Sequence, residues 1–133
     1  MGVSLRIPIE PIPVPRMRVT ARGGRARAYP APKYTEWLRE AGAAFDELTP
    51  EGWSPSEALL LVELNCFMEK PKTGKLLTPR GDIDNIAKGP LDAATGRLWV
   101  DDDQIVDLKA TKEYVPYGTP GFFLITVSEL PDV

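Results

Sequence analysis

The 133-residue sequence contains no histidine and a single cysteine, Cys66. Without histidine, Ser-His-Asp triads, Cys-His dyads and HExxH zinc sites are excluded. One cysteine can form neither an intrachain disulfide nor a cysteine-rich zinc site. Because Cys66 lies in the apolar run 59–68, it is predicted to be a small core residue rather than a nucleophile. An enzyme of this composition must work with carboxylates, lysine, hydroxyl groups or a hard metal ion.

Long apolar runs are also missing. No stretch approaches the roughly 20 residues of a membrane span, and the N-terminus lacks the apolar segment of a signal peptide. Neither a GxGxxG fingerprint nor a Walker phosphate loop is present, so no nucleotide cofactor is expected. We expect a soluble, intracellular, cytoplasmic protein without a membrane partner, and the sequence leaves open whether a cell, a phage or a prophage encodes it.

Basic residues are concentrated at one end of the chain. The net charge of −3 and the pI near 5.0 argue, taken alone, against a nucleic-acid binder. Residues 1–39, however, hold eight cations and two anions, a net +6, which leaves −9 on residues 40–133. Such asymmetry indicates an anionic partner for the N-terminal part.

Hydrophobic periodicity predicts one α+β domain over residues 1–133, with a small mixed sheet and two main helices. The predicted strands are 4–9, 58–68, 104–114 and 121–130, with 58–68 central. The predicted helices are 32–48 and 85–95. The prolines of residues 8–15 predict an extended connection. A basic hairpin or loop is predicted around Gly23-Gly24, and a basic loop over residues 70–81.

The most informative stretch of the sequence is an acidic cluster between residues 81 and 112. In an extended segment, Asp82 and Asp84 would point the same way, about 7 Å apart, and could approach one cation. Lys88 follows Asp84 by one helical turn. The acidic run 101–103 lies between an apolar triplet and a strand. Oxygen ligands of this kind suit Mg²⁺ or Mn²⁺.

Simpler interpretations of the acidic cluster stay open at this point. Asp84 could be a helix N-cap, and acidic turns are commonly solvated. An EF-hand is excluded, because the sixth and twelfth positions counted from Asp82 are Ala87 and Ala93 instead of Gly and Glu.

The motifs resemble those of the RusA-type Holliday-junction resolvases, a family of crossover junction endodeoxyribonucleases. The stretches DIDNIAK (82–88), LDA (91–93) and WVDDDQI (99–105) match the family pattern of D-x-D-N-x-x-K, a helix ending in D-A-L, and D-D-x-Q-V. The opening PVPRMR (13–18) and the Tyr34-bearing helix are also similar to the family's N-terminal part. The specificity of the resemblance lies in residues 82–105.

The resemblance implies a RusA-like fold and a homodimeric, Mg²⁺-dependent endonuclease, with Mn²⁺ as a substitute. Such enzymes resolve four-way DNA junctions by paired symmetric nicks in recombination and repair. The family's essential residues correspond to Asp82, Asp84, Lys88 and Asp102, of which the three aspartates bind the metal. Only the spacing to Gln104 selects Asp102 from the acidic triplet. Residues expected to support these groups without binding the metal are Asn85, Asp101, Asp103 and Gln104.

Phosphate contacts are expected from the basic N-terminal part, and the alternative for any single cation is a merely solvated loop. The candidates are Arg16, Arg18, Arg22, Arg25, Arg27 and Lys33. Trp37 is expected in the core and Trp99 beneath the aspartate turn.

Two other functions remain open. A non-catalytic module could bind junctions or other branched DNA with the same fold, and a metal-dependent nuclease or phosphohydrolase could act on RNA or nucleotides.

Overall fold

The computed structural model describes residues 1–15 and 32–131 in full and residues 18–22 and 25–29 as backbone. The strands are β1 (Gly2–Ile7), β2 (Arg18–Arg22), β3 (Arg25–Tyr29), β4 (Leu60–Glu69), β5 (Ile105–Val115) and β6 (Phe122–Glu129). The helices are α1 (Pro32–Leu48) and α2 (Ile83–Ala94), and a 3-10 turn spans Asp102–Gln104.

β4 lies inside a four-stranded sheet of order β1-β6-β4-β5. It runs antiparallel to β6 and parallel to β5. Alternate β4 residues, from Leu60 through Leu64 to Met68, are buried, while Glu63 is exposed, as expected for a strand covered on one face. The prediction of a central strand is confirmed.

Cys66 belongs to the buried face of β4 and has no exposed surface. Burial raises the pKa of its thiol to about 12. The raised pKa disfavours the thiolate, which is the nucleophilic form. The full burial of Cys66 confirms the prediction of a core residue.

α1 and α2 pack on each other and on the sheet, α1 against β1 and α2 against β4 and β5. The buried stripe of α1 includes Tyr34, Trp37 and Phe45, which confirms the helical period and places Trp37 in the core. The Trp37 indole donates to the carbonyl of Glu10 at 2.7 Å and thereby ties the proline-rich connection to α1. The mixed sheet and two helices confirm the α+β prediction. Among the described residues, no helix is long and apolar enough to cross a membrane.

The predicted basic hairpin is present as β2 and β3, which pair antiparallel with Arg22 opposite Arg25. Lys33 is exposed at the start of α1. Among the other predicted phosphate contacts, Arg16 lies outside the described residues. For the remaining four the structure describes the backbone and not the side chains: Arg18, Arg22, Arg25 and Arg27.

Candidate active site

The first turn of α2 contains the two aspartates of the D-x-D motif. Asp82 is the N-cap, with an extended backbone (φ −72°, ψ 144°), and its carbonyl accepts from the amide of Ile86 at 3.0 Å. The helix begins at Ile83, two residues before the predicted start at Asn85. The prediction that Asp82 and Asp84 share one extended segment is therefore wrong, because Asp84 is already helical. The N-cap is Asp82, not Asp84, and its carboxylate makes no capping hydrogen bond.

A cavity of about 380 Å³ lies between α2 and the strand β5 with its preceding turn. The residues that line it are Asp84, Asn85, Ala87, Lys88, Leu91, Asp92, Asp102 and Leu108. The structure thus brings three predicted catalytic residues, Asp84, Lys88 and Asp102, to one cavity. Asp82 is exposed and does not line it.

Lys88 is held by a residue to which the sequence interpretation gave no role. Its ammonium lies 3.3 Å from Oδ2 of Asp92, one turn further along α2. The Tyr34 hydroxyl donates to the same oxygen at 2.6 Å. The LDA motif and the four-residue spacing from Lys88 could have identified Asp92. Tyr34 lies 58 residues away, so no local pattern reveals its contact.

The environment of Tyr34 keeps its hydroxyl protonated. Burial is the largest cause that raises the pKa of Tyr34, followed by the hydrogen bond to Asp92 and the charge of that carboxylate. The hydroxyl therefore remains a donor to Asp92 throughout the neutral range, and Asp92, the partner of Lys88, is fixed from the other helix.

The turn that carries Asp102 is organised by its neighbours. Asp101 accepts from the amide of Asp103 at 3.1 Å. Gln104 Oε1 accepts from the amides of Val100 (3.1 Å) and Asp101 (2.8 Å), which completes a capping box. Of the three consecutive aspartates, Asp102 lines the cavity.

Gln104 also connects the turn to the chain before β4. Its Nε2 donates to the carbonyls of Ser56 and Ala58, each at 2.8 Å. All side-chain donors and acceptors of this amide are therefore used to hold the turn in place. Trp99 is fully buried immediately before the turn, with its indole donating to Thr95 Oγ1 at 3.1 Å.

The donor chemistry of the cavity fits a hard divalent cation. Mg²⁺ is commonly held by one or two carboxylates, with water and substrate phosphate completing its octahedron, and Asp84 and Asp102 supply two carboxylates. Across the residues that the structure describes, no group of three or more acidic, cysteine or histidine side chains could hold an ion. The arrangement fits an open, hydrated site and not an all-protein cage.

A known protein family matches most of the chain. No curated protein matched the sequence. The family model described as Endodeoxyribonuclease RusA matches residues 8–121, a range that contains α1, α2, β4, β5 and the whole cavity. The chain belongs to the endodeoxyribonuclease RusA family, whose members are nucleases that act on DNA.

Proposed function

We propose that this protein is a Mg²⁺-dependent endodeoxyribonuclease that resolves four-way DNA junctions by paired symmetric nicks, as a homodimer. The observation that supports the proposal most directly is the convergence of Asp84, Lys88 and Asp102 on one cavity in a chain of this family.

In the proposed reaction the protein mainly positions the reacting groups and compensates the negative charge of the transition state. Hydrolysis of a phosphodiester requires an activated water, in-line attack and compensation of negative charge in the transition state. A bound Mg²⁺ would lower the pKa of a coordinated water and polarise the phosphoryl oxygen. Asp84 and Asp102 would hold the ion, whereas Asp82, the third ligand that the resemblance implies, is exposed outside the cavity.

Lys88 would stabilise charge that develops on the scissile phosphate. Its side chain is 56% exposed while its ammonium contacts Asp92, so it is both accessible and oriented. Fixed positive groups near a developing anion lower the barrier because they need no reorganisation during the reaction. Asp92 and Tyr34 would act by holding that ammonium in place.

Two basic segments would bind the DNA backbone. One is the β2–β3 hairpin with its arginines. The other is the loop 70–81, which contains four cations and no anion and leads directly into Asp82. A two-fold homodimer would present two such sites to a junction that is itself roughly two-fold symmetric.

The test is a nicking assay on a synthetic four-way junction whose strands carry separate end labels. With Mg²⁺ we expect two nicks at symmetric positions in opposing strands, with ends that a ligase can seal. Linear duplex, flaps, Y-forks and RNA in parallel reactions give the substrate preference. Salt-sensitive junction binding without products would instead favour the non-catalytic module, and products on RNA alone would favour the third function.

The Asp84→Asn variant tests whether nicking depends on the carboxylates that line the cavity. Loss of one metal ligand is expected to remove about 4 kcal/mol of transition-state stabilisation, or about 10³-fold in rate. Asp107→Asn, an exposed carboxylate on β5, is the matched control and should retain wild-type nicking. Equal activity of the two variants would place the chemistry elsewhere.

A further inference from the structure

Lys112 extends from β5 to the loop that leads into the D-x-D motif. Its ammonium donates to the carbonyl of Pro79 at 2.9 Å and to that of Gly81 at 2.6 Å. The residue is half-buried, and the next residue after Gly81 is Asp82. The two hydrogen bonds therefore fix the peptide groups immediately before a predicted metal ligand.

The end of this loop has other constraints, among them the burial of Pro79. Gly81 has φ +106°, and a Cβ at this position would lie 2.8 Å from Cγ of Pro13. Within the described part of the chain, the contacts from Lys112 are the hydrogen bonds that hold residues 71–81 to the rest of the molecule. Residues 71–78 and Arg80 are exposed and Pro79 is buried, so the loop is held at the Pro79–Gly81 end, where the ammonium donates its two hydrogen bonds.

The charge on Lys112 is directed at the backbone and not at a carboxylate. In the described residues its ammonium takes part in no ion pair. Hydrogen bonds from a charged donor are shorter and stronger than neutral ones, and an ammonium can donate to both carbonyls at once. By contrast, Lys109 on the same strand is exposed and serves as a comparison residue.

We propose that Lys112 is a positioning residue: it fixes the Pro79–Asp82 backbone, and with it the N-cap from which α2 carries Asp84 to the cavity. The inference rests on the proposed function. It gives Lys112 no contact with metal or DNA and predicts that its loss weakens metal binding and turnover while junction affinity stays the same.

Lys112→Met removes the donors and keeps the aliphatic stem. We expect the Mg²⁺ concentration for half-maximal nicking to rise about 10- to 100-fold, as for groups that orient metal ligands. At saturating Mg²⁺ we expect nicking to fall by about 10²-fold, the effect of a small misplacement of a reacting group. Junction affinity in EDTA should equal that of wild type. Lys109→Met should be unchanged in all three measurements.

Two readouts do not require activity. Hydrogen–deuterium exchange of the metal-free protein should be faster at the first turn of α2, where the amide of Ile86 donates to the carbonyl of Asp82, in Lys112→Met and unchanged in the Asp101–Gln104 turn. Calorimetric titration with Mn²⁺ alone should show weaker binding to Lys112→Met than to Lys109→Met.

Chemical rescue separates positioning from general stability. Lys112→Cys treated with 2-bromoethylamine acquires an ammonium on a side chain of nearly the same length, and nicking and the Mg²⁺ requirement should return toward wild type. The buried thiol of Cys66, whose pKa is raised to about 12, should react slowly, and treated wild type is the control. Should Lys112→Met fail to fold, Lys112→Arg gives the same comparison, with an intermediate Mg²⁺ requirement expected.

Several outcomes would overturn the inference. Unchanged exchange and an unchanged Mg²⁺ requirement in Lys112→Met, or in Lys112→Arg as its replacement, would show that the loop does not depend on the ammonium. A loss of metal-free junction affinity with a reduced salt dependence would make Lys112 a DNA contact. If the wild type itself fails to nick junctions, the proposed function fails, whereas the exchange and Mn²⁺ measurements still decide whether Lys112 positions the loop.

Discussion

The two segments that carry the proposed metal-binding aspartates are held in place in opposite ways. The Asp101–Gln104 turn is held from within, because the Asp101 carboxylate and the Gln104 amide cap the turn itself. The Pro79–Asp82 segment is held from a distance by Lys112, which lies 33 and 31 residues from the two carbonyls it contacts.

This difference determines which substitutions each segment can accept without moving its aspartate. A locally capped turn keeps its shape as long as its own few residues are kept, and it can move only as a unit. A segment fixed by distant side chains loses its position when any of them changes, although its own sequence is intact. We therefore expect changes in the turn to act through the carboxylate that they remove, and changes near the loop to act through displacement of Asp82.

The largest expected effect separates Asp102 from its neighbour. Asp102→Asn should lower junction nicking by about 10³-fold, because it removes a proposed metal ligand worth about 4 kcal/mol in the transition state. Asp103→Asn, in the same turn but not lining the cavity, should retain activity within a few-fold. Single-turnover rates at saturating Mg²⁺ measure both, and a greater loss in Asp103→Asn would reassign the third carboxylate.

An intermediate effect is expected where the loop meets the proline-rich connection. Gly81→Ala places a Cβ against Pro13 in a backbone conformation with φ +106°, so both strain and displacement of Asp82 follow. We expect a loss of about 1–3 kcal/mol of unfolding free energy from the backbone conformation alone, with nicking lowered about 10- to 100-fold. Urea unfolding and nicking rates are the measurements.

Gly52→Ala is the matched control for Gly81→Ala. Gly52 also has positive φ, at +91°, but no atom lies within 4 Å of its Cβ position, and it lies in the loop after α1. It should lose stability through the same backbone strain and keep wild-type nicking per folded molecule. If the two variants lose activity equally, displacement of Asp82 by Pro13 is not the cause.

The same contrast explains which parts of the molecule could be predicted from sequence. Helix α1 and strand β4 follow from periodicity, because each buries one face of a regular element. The role of Gln104 follows from its three-residue spacing to Asp101, which is the spacing of a capping box. Helix α2 begins earlier than predicted because Asp82 caps it through backbone conformation, and the sequence pattern of D-x-D is equally compatible with a strand.

Long-range contacts could not be predicted, since nothing in the local pattern around Lys112 or Tyr34 indicates a partner. Both residues donate to groups more than 30 positions away, and the pairing depends on how β5 and α1 pack. The candidate site was therefore predictable in most of its membership, with Asp84, Lys88 and Asp102 at one cavity and Asp82 outside it, but not in the residues that hold it together.

The smallest expected effect tests whether the long-range hydrogen bond from Tyr34 to Asp92 stabilises the fold. Tyr34→Phe removes one hydrogen bond to a carboxylate and should lower the unfolding free energy by about 1.5 kcal/mol near neutral pH. Lys88 would keep its ion pair with Asp92, so nicking should fall less than tenfold. Urea unfolding and nicking rates again give both values.

The pH dependence of that difference has a definite sign. A tyrosine in the unfolded chain ionises near pH 10, whereas burial and Asp92 raise the pKa of Tyr34 in the folded protein. The folded state therefore binds this proton more tightly, so the contribution of Tyr34 to stability is fully present below about pH 10 and is lost as the pH rises further. Wild type should lose its advantage over Tyr34→Phe progressively as the pH rises above about 10 toward the raised pKa of Tyr34 in the folded protein. Parallel stability profiles over that range would show that the Tyr34 hydroxyl is not held by Asp92, and Lys88 would then be positioned by its own helix alone.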